Sequence, residues 1–141
     1  ACMNLYIFRQ VVEYKYTRNY MKSNMTQVTI YHNPKCSKSR ATLAILNDYN
    51  IDPNIRLYLE QPPTASELGE LLQALAMNPE DILRSGESIV QSLKIDIGEL
   101  DGTKLIELIL QYPILMQRPI VRRGNRAIIG RPPENVVALI D

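Results

Sequence analysis

The chain has 141 residues, of which 45% are hydrophobic, and a formal net charge of +1 at pH 7. That length allows one domain with a substantial core, and no apolar run approaches the roughly 20 residues that a membrane-spanning helix needs. Residues 1–24 hold four basic residues against one acidic residue, which leaves 12 basic and 14 acidic residues in the remainder. We therefore expect neither a membrane nor a nucleic acid as a partner.

The stretch before Met25 differs from the rest of the chain. Residues 1–24 contain half of the tyrosines and a basic excess, but they resemble neither a signal peptide nor a low-complexity segment. We interpret them as an N-terminal extension of undetermined origin, followed by one domain over residues 25–141. The only cysteines are Cys2 and Cys36, without a secretory apolar region or a disulfide framework, which favours a reducing cytoplasm.

A βαβ unit is predicted at the start of this domain. The patterns indicate a strand at about residues 27–31, a helix at about 38–49 and a second strand at about 54–59. Two strands on either side of one helix should be parallel, with a right-handed crossover.

Cys36 lies at the turn between the first strand and the first helix. The unpaired N–H groups at a helix N-terminus favour an anion, either a thiolate or a bound oxyanion. If the ordinary thiol pKa of about 8.5 fell to about 6.5, the thiolate fraction at pH 7 would rise from roughly 3% to roughly three quarters. This position therefore predicts a reactive thiol.

The spacing Cys36-Ser37-Lys38-Ser39 matches a C-x-x-C redox motif whose second cysteine is serine. Such a site cannot close its own disulfide and needs an outside thiol to resolve an intermediate. A buried structural cysteine is the alternative. Nearby Lys35, Lys38 and Arg40 favour the reactive interpretation.

A helical insert is predicted at about residues 62–115. Thr64-Ala65-Ser66-Glu67 has the form of a capping box and begins a helix that continues to about Met77. Asn78-Pro79 begins a short helix through Arg84. Asp101 precedes a third helix, which ends at Pro113.

The last part of the chain predicts a hairpin and a helix. Strands at Ile120-Val121-Arg122 and Ala127-Ile128-Ile129 flank a Gly124-Asn125 turn, and a helix follows from about Pro133 to Ile140. The whole order predicts an α/β fold with a thioredoxin-like βαβ–(helical insert)–ββα layout and a mixed four-stranded sheet.

Several short motifs occur in a familiar order between Met25 and Asp141. They are His32-Asn33-Pro34-Lys35-Cys36-Ser37-Lys38-Ser39-Arg40, Leu57-Tyr58-Leu59-Glu60, Pro62-Pro63, Ile82-Leu83-Arg84, Arg118-Pro119-Ile120-Val121 and Gly130-Arg131-Pro132. Together they resemble the glutaredoxin-linked arsenate reductase family, within the ArsC/Spx-type superfamily of thioredoxin-like folds. The resemblance implies that arsenate is reduced through a covalent intermediate on the Cys36 thiolate.

The same resemblance implies an oxyanion site formed by Arg84, Arg118 and Arg131. Guanidinium groups pair with two oxygens of a tetrahedral anion and stay charged at neutral pH. Glutathione is the implied co-substrate and a glutaredoxin the implied partner, with no bound cofactor and no metal. From position alone, Arg84 could instead be a solvated cation at a helix C-terminus, and Arg131 a surface-loop cation.

Three further residues are predicted to support the thiol. His32 could lower the thiol pKa as an imidazolium, or it could be a strand-end side chain in water. Ser39 could hydrogen-bond the thiolate or cap the helix. Pro119 corresponds to a cis proline that the family holds beside its active cysteine, although the sequence alone supports only an extended Arg118-Pro119.

Two other functions remain open at this point. One is a glutathione-dependent thiol reductase that acts on another substrate. The other is an Spx-like regulator that binds RNA polymerase without catalysis. Such regulators usually carry a C-x-x-C switch and lack the last arginine of the set, so Ser39 and Arg131 disfavour the second alternative.

Overall fold

A four-stranded sheet lies at the centre of the computed structural model, which describes residues 27–140. The strands are β1 (Val28–Tyr31), β2 (Asn54–Arg56), β3 (Ile120–Arg123) and β4 (Arg126–Ile129), in the spatial order β2-β1-β3-β4. β2 runs parallel to β1, whereas the β1–β3 and β3–β4 pairs are antiparallel. The predicted α/β class with a mixed sheet is confirmed. The predicted extension over residues 1–24 lies outside the described residues.

Five α-helices complete the described part of the chain. They are α1 (Ser37–Asp48), α2 (Ala65–Leu75), α3 (Ser88–Ser92), α4 (Gly102–Gln111) and α5 (Val137–Ile140). Short 3-10 helices occur at Pro79–Ile82, Ile97–Glu99, Pro113–Leu115 and Pro133–Val136. No helix among the described residues is both long and apolar enough to cross a bilayer.

The sheet separates two hydrophobic cores, because side chains alternate between the faces of a strand. Ile30 and Val121 pack on one face with Leu46 of α1 and with residues of the C-terminal helix. Tyr31 and Ile120 face the opposite side, where the insert supplies a larger cluster. That cluster includes Tyr58, Leu68, Leu71, Leu72, Leu75, Ile82, Ile109, Leu115 and Met116.

Local sequence signals set the predicted helix starts and the hairpin. The Thr64 hydroxyl accepts from the Glu67 N–H at the start of α2, and the Asp101 carboxylate accepts from the Lys104 N–H at the start of α4. Gly124 has a φ of 62°, a backbone conformation that two-residue hairpin turns need and glycine adopts freely.

Two predicted elements differ from the structure. The second strand ends at Arg56 rather than near residue 59, because the Leu57 carbonyl accepts from the N–H groups of Glu60 and Gln61 and the chain turns. The short helix predicted through Arg84 is a 3-10 helix that ends at Ile82. The five-residue helix α3 was not predicted.

The insert is tied to the chain that leads into β3. Leu83 forms an isolated antiparallel bridge with Met116, and the Arg84 N–H donates to the Leu115 carbonyl at 2.7 Å. The Gln117 N–H donates back to the Ile82 carbonyl at 2.8 Å. These backbone contacts bring Arg84 close to Gln117 and to its neighbour Arg118, although Gln117 is 33 residues from Arg84 in sequence.

Candidate active site

Cys36 occupies the N-cap position of α1, directly after the loop that follows β1. Its backbone is extended, with φ −92° and ψ 122°, and its carbonyl accepts the first helical bond from the Arg40 N–H at 3.0 Å. The thiol is free and half-buried. The structure therefore places Cys36 at a helix N-terminus, where the sequence predicted it.

The surroundings of Cys36 favour its thiolate. Burial acts to raise the pKa of the thiol, but hydrogen bonds from the Ser39 and Lys38 backbone N–H groups and the charge of nearby Arg118 outweigh it. The pKa of Cys36 therefore lies below its ordinary value. The sequence pointed to Lys35, Lys38 and Arg40 as cations near the thiol, but all three side chains are exposed, and Arg118 is the cation that lowers the pKa of Cys36.

We expect the Cys36 thiol to ionise at a lower pH than an ordinary cysteine. A lowered pKa means that the thiolate, and hence alkylation by iodoacetamide, persists as the pH falls below the range where free thiols react. Thiolate absorbance followed against pH in a Cys2→Ser variant measures this, and the double variant Cys2→Ser/Cys36→Ser, which has no thiol, supplies the blank. An ordinary pKa for Cys36 would contradict the activated thiol.

Arg131 and Arg118 converge on the thiol from the loops around β3 and β4. Arg131 Nη2 lies 3.7 Å from Cys36 Sγ, and Arg131 Nε donates to the Arg118 carbonyl at 2.8 Å. The Arg118 side chain is only 14% exposed and lies close enough to Cys36 to lower its pKa. Two of the predicted arginines thus lie beside Cys36, although Cys36 and Arg131 are 95 residues apart in sequence.

The third predicted arginine joins this group through a carboxylate. Glu87 Oε1 accepts from Arg84 Nε at 2.8 Å and from Arg118 Nη1 at 3.3 Å. Arg84 is half-buried rather than a solvated cation at a helix end, and its Nη1 also donates to Gln117 Oε1 at 3.4 Å. Glu87 was missed by sequence analysis, although the i,i+3 spacing of Arg84 and Glu87 is a recognisable ion-pair signal.

Two buried hydrogen-bond donors lie near the thiol without an acceptor. Among the described residues, Arg118 Nε and the Tyr58 hydroxyl are buried and have no hydrogen-bond partner. The pKa of Tyr58 lies above its ordinary value, mainly because the residue is buried. Arg118 opposes this effect and Cys36 adds to it, and the hydroxyl stays protonated at neutral pH. Buried donors without an acceptor are rare in folded proteins, and they indicate a site suited to an acceptor-rich ligand.

His32 and Ser39 form a buried pair beneath the cysteine loop. His32 Nδ1 lies 2.6 Å from Ser39 Oγ, which also accepts from the Asn33 N–H at 3.0 Å. The alternative of a solvated His32 is wrong, because the residue is 6% exposed. Burial, with a smaller effect of Arg40, lowers the pKa of His32 and so disfavours the imidazolium. The Ser39 hydroxyl does not cap α1, because it is occupied by this pair.

Pro119 is buried behind the arginines, and the Arg118-Pro119 peptide bond is cis, as the resemblance implied. The Gly130 N–H donates to the Pro119 carbonyl at 2.9 Å. A Cβ on Gly130 would lie 2.5 Å from Thr42 Oγ1 and 2.8 Å from Pro119 Cγ. The lack of a side chain at Gly130 therefore lets the Arg131 loop pack directly against α1 and Pro119.

A comparison with protein-family models finds a match that covers most of the chain. Residues 31–139 match the model described as the ArsC family. The chain belongs to the ArsC family. The matched region contains every predicted site residue, from His32 to Arg131, within one ArsC domain.

Several known proteins align with this chain over nearly their whole length. An arsenate reductase of Haemophilus influenzae (strain ATCC 51907 / DSM 11121 / KW20 / Rd) is 40% identical over 114 residues, 80% of this chain and 98% of that protein. Uncharacterized protein YfgD of Escherichia coli (strain K12) is 43% identical over 115 residues, 81% of this chain and 97% of that protein. The solved structure of an arsenate reductase from Vibrio cholerae is 40% identical, with a TM-score of 0.76 over 80% of this chain and 97% of that one.

Proposed function

We propose that this ArsC-family chain reduces arsenate to arsenite, with Cys36 as the nucleophile. The observation that carries the proposal is the convergence of Arg131 and Arg118 on a thiol whose pKa is lowered. Arsenate is a tetrahedral oxyanion, and bidentate guanidinium contacts match its oxygens. The similarity to arsenate reductases supports this choice of substrate.

The first step joins sulfur to arsenic. The Cys36 thiolate attacks arsenic(V), a sulfur–arsenic bond forms, and one arsenate oxygen leaves as water after it takes up protons. Thiolate and arsenate are both anions, so the step needs compensating positive charge. The guanidinium groups of Arg118 and Arg131 and the N–H groups of α1 lie where they can provide it.

The second step is the reduction and uses an external thiol. Glutathione attacks the Cys36 sulfur, the electron pair of the sulfur–arsenic bond passes to arsenic, and arsenic(V) becomes arsenic(III). Cys36 is left in a mixed disulfide with glutathione. A glutaredoxin thiolate then attacks the glutathione sulfur and releases the Cys36 thiolate. This cycle needs a reducing compartment, and we place it in the cytoplasm.

The position of Ser39 supports the need for an external thiol. Ser39 stands where a C-x-x-C motif would have its resolving cysteine, and its hydroxyl is bonded to His32 and Asn33. Cys36 is the only cysteine among the described residues. The oxidised form of Cys36 therefore depends on a partner thiol rather than on a neighbouring one within residues 27–140.

The test is a direct assay of arsenite formation by the purified chain. Activity that requires arsenate, glutathione and a glutaredoxin together supports the proposal. Reduction of a glutathione mixed disulfide without arsenate turnover would instead favour a thiol reductase of another substrate. Binding to RNA polymerase with no turnover of either substrate would favour the regulator.

A further inference from the structure

A carboxylate already lies among the arginines of the proposed oxyanion site. Glu87 Oε1 accepts hydrogen bonds from both Arg84 and Arg118, at 2.8 and 3.3 Å. Arg118 also lies close to the Cys36 thiol. Glu87 therefore occupies guanidinium contacts of the kind that a bound oxyanion would take.

The charges in this group are partly shielded from water. Arg118 is 14% exposed, Glu87 is 22% exposed and Arg84 is 24% exposed. Hydrogen bonding to Arg84 lowers the pKa of Glu87, and Arg118 adds to this against the effect of partial burial. Glu87 is therefore a carboxylate at neutral pH, and its charge acts on a neighbouring anion with less screening than a fully solvated group would have.

The two contacts of Glu87 differ in how they are built. Arg84 and Glu87 are held together by a local turn, in which the Glu87 N–H donates to the Arg84 carbonyl at 3.3 Å. The contact with Arg118 is the longer one and joins residues that are 31 positions apart. Since Glu87 is the residue just before the short helix α3 in the insert, its side chain can leave Arg118 without breaking an element of the sheet.

We propose that Glu87 is an internal carboxylate that competes with oxyanions for Arg84 and Arg118 and sets their affinity for the site. The inference rests on the proposed function. A dianion that binds Arg118 Nη1 must displace Glu87, and a dianion held at the unpartnered Arg118 Nε still lies near the like charge of Glu87. The site consequently binds tetrahedral anions more weakly than its arginines alone would, and it releases phosphate-type anions readily.

Glu87→Gln tests this, because glutamine keeps a carbonyl oxygen for Arg84 but removes the charge. The phosphate or sulfate concentration that gives half-maximal protection of Cys36 from iodoacetamide should fall about tenfold or more. The KM for arsenate should fall in the same direction, with a smaller change in kcat. Glu99→Gln removes the same charge from an exposed position of the insert and should match the parent protein in both measurements.

Glu87→Ala provides a second variant, since it removes the acceptor as well as the charge, and it should also bind phosphate more tightly than the parent. Equal or weaker anion binding in both variants would overturn the competition and make Glu87 an anchor for the arginines. If anions protect the parent and the variants alike, only the role of Glu87 fails. If no anion protects Cys36 in the parent, the oxyanion site of the proposed function fails, and the role of Glu87 fails with it.

Discussion

Cys36→Ser should abolish arsenate reduction, with a loss in kcat of roughly a thousandfold or more. A serine hydroxyl is not ionised at neutral pH and cannot form the mixed disulfide that the proposed mechanism requires. The fold should persist, because serine is similar in size and Cys36 is only half-buried. Arsenite formation with glutathione and a glutaredoxin measures the effect, and the melting temperature checks the fold.

Cys2→Ser is the matched control for this variant, because it removes the other thiol of the chain. Its turnover should equal that of the parent protein. If Cys36→Ser retained turnover close to the parent while Cys2→Ser lost it, the nucleophile would have to be reassigned to Cys2.

Arg131→Leu should lower kcat/KM for arsenate by about ten- to a hundredfold, the range expected for loss of one charge-assisted hydrogen bond. Arg131 Nη2 lies 3.7 Å from Cys36 Sγ, so an anion attacked by the thiolate must lie beside this guanidinium. Sulfate and phosphate should protect Cys36 from alkylation in the parent and much less in Arg131→Leu.

Arg126→Leu removes the same charge from an exposed position of β4 and should leave both measurements unchanged. It controls for the loss of overall positive charge, which weakens anion attraction slightly wherever it occurs. Equal protection by sulfate in the parent and in Arg131→Leu, with unaltered turnover, would reduce Arg131 to a surface cation.

The elements that sequence predicted well depend on local signals. A short apolar strand pattern followed by a helical pattern predicted β1, the Cys36 turn and α1. The side chains of Thr64 and Asp101 cap their helices by accepting from the N–H group three residues later. The missed helix α3 has only five residues, too few for a periodic pattern to emerge. Its position depends instead on packing of the insert, in which Val90 is buried with Ile82 and Leu115.

The candidate site depends on contacts between distant residues, which composition and periodicity do not encode. Position alone suggested a solvated Arg84 and a surface Arg131, and only the family resemblance grouped both with Cys36. Glu87 was missed because its contact with Arg118 arises from the fold. Burial likewise decides the state of His32, since a lone histidine at a strand end gives no sign in the sequence that its pKa will be lowered.

The proposed oxyanion site joins two parts of the chain that pack on each other without being continuous. Arg84 and Glu87 belong to the insert, whereas Cys36, Arg118 and Arg131 surround the sheet. A ligand held by both parts acts as a reversible cross-link, because any local opening that separates the insert from the sheet must first release it. Ligand binding then raises the free energy of that opening by RT ln(1 + [L]/Kd), so substrate supply and the conformational stability of the insert become thermodynamically linked.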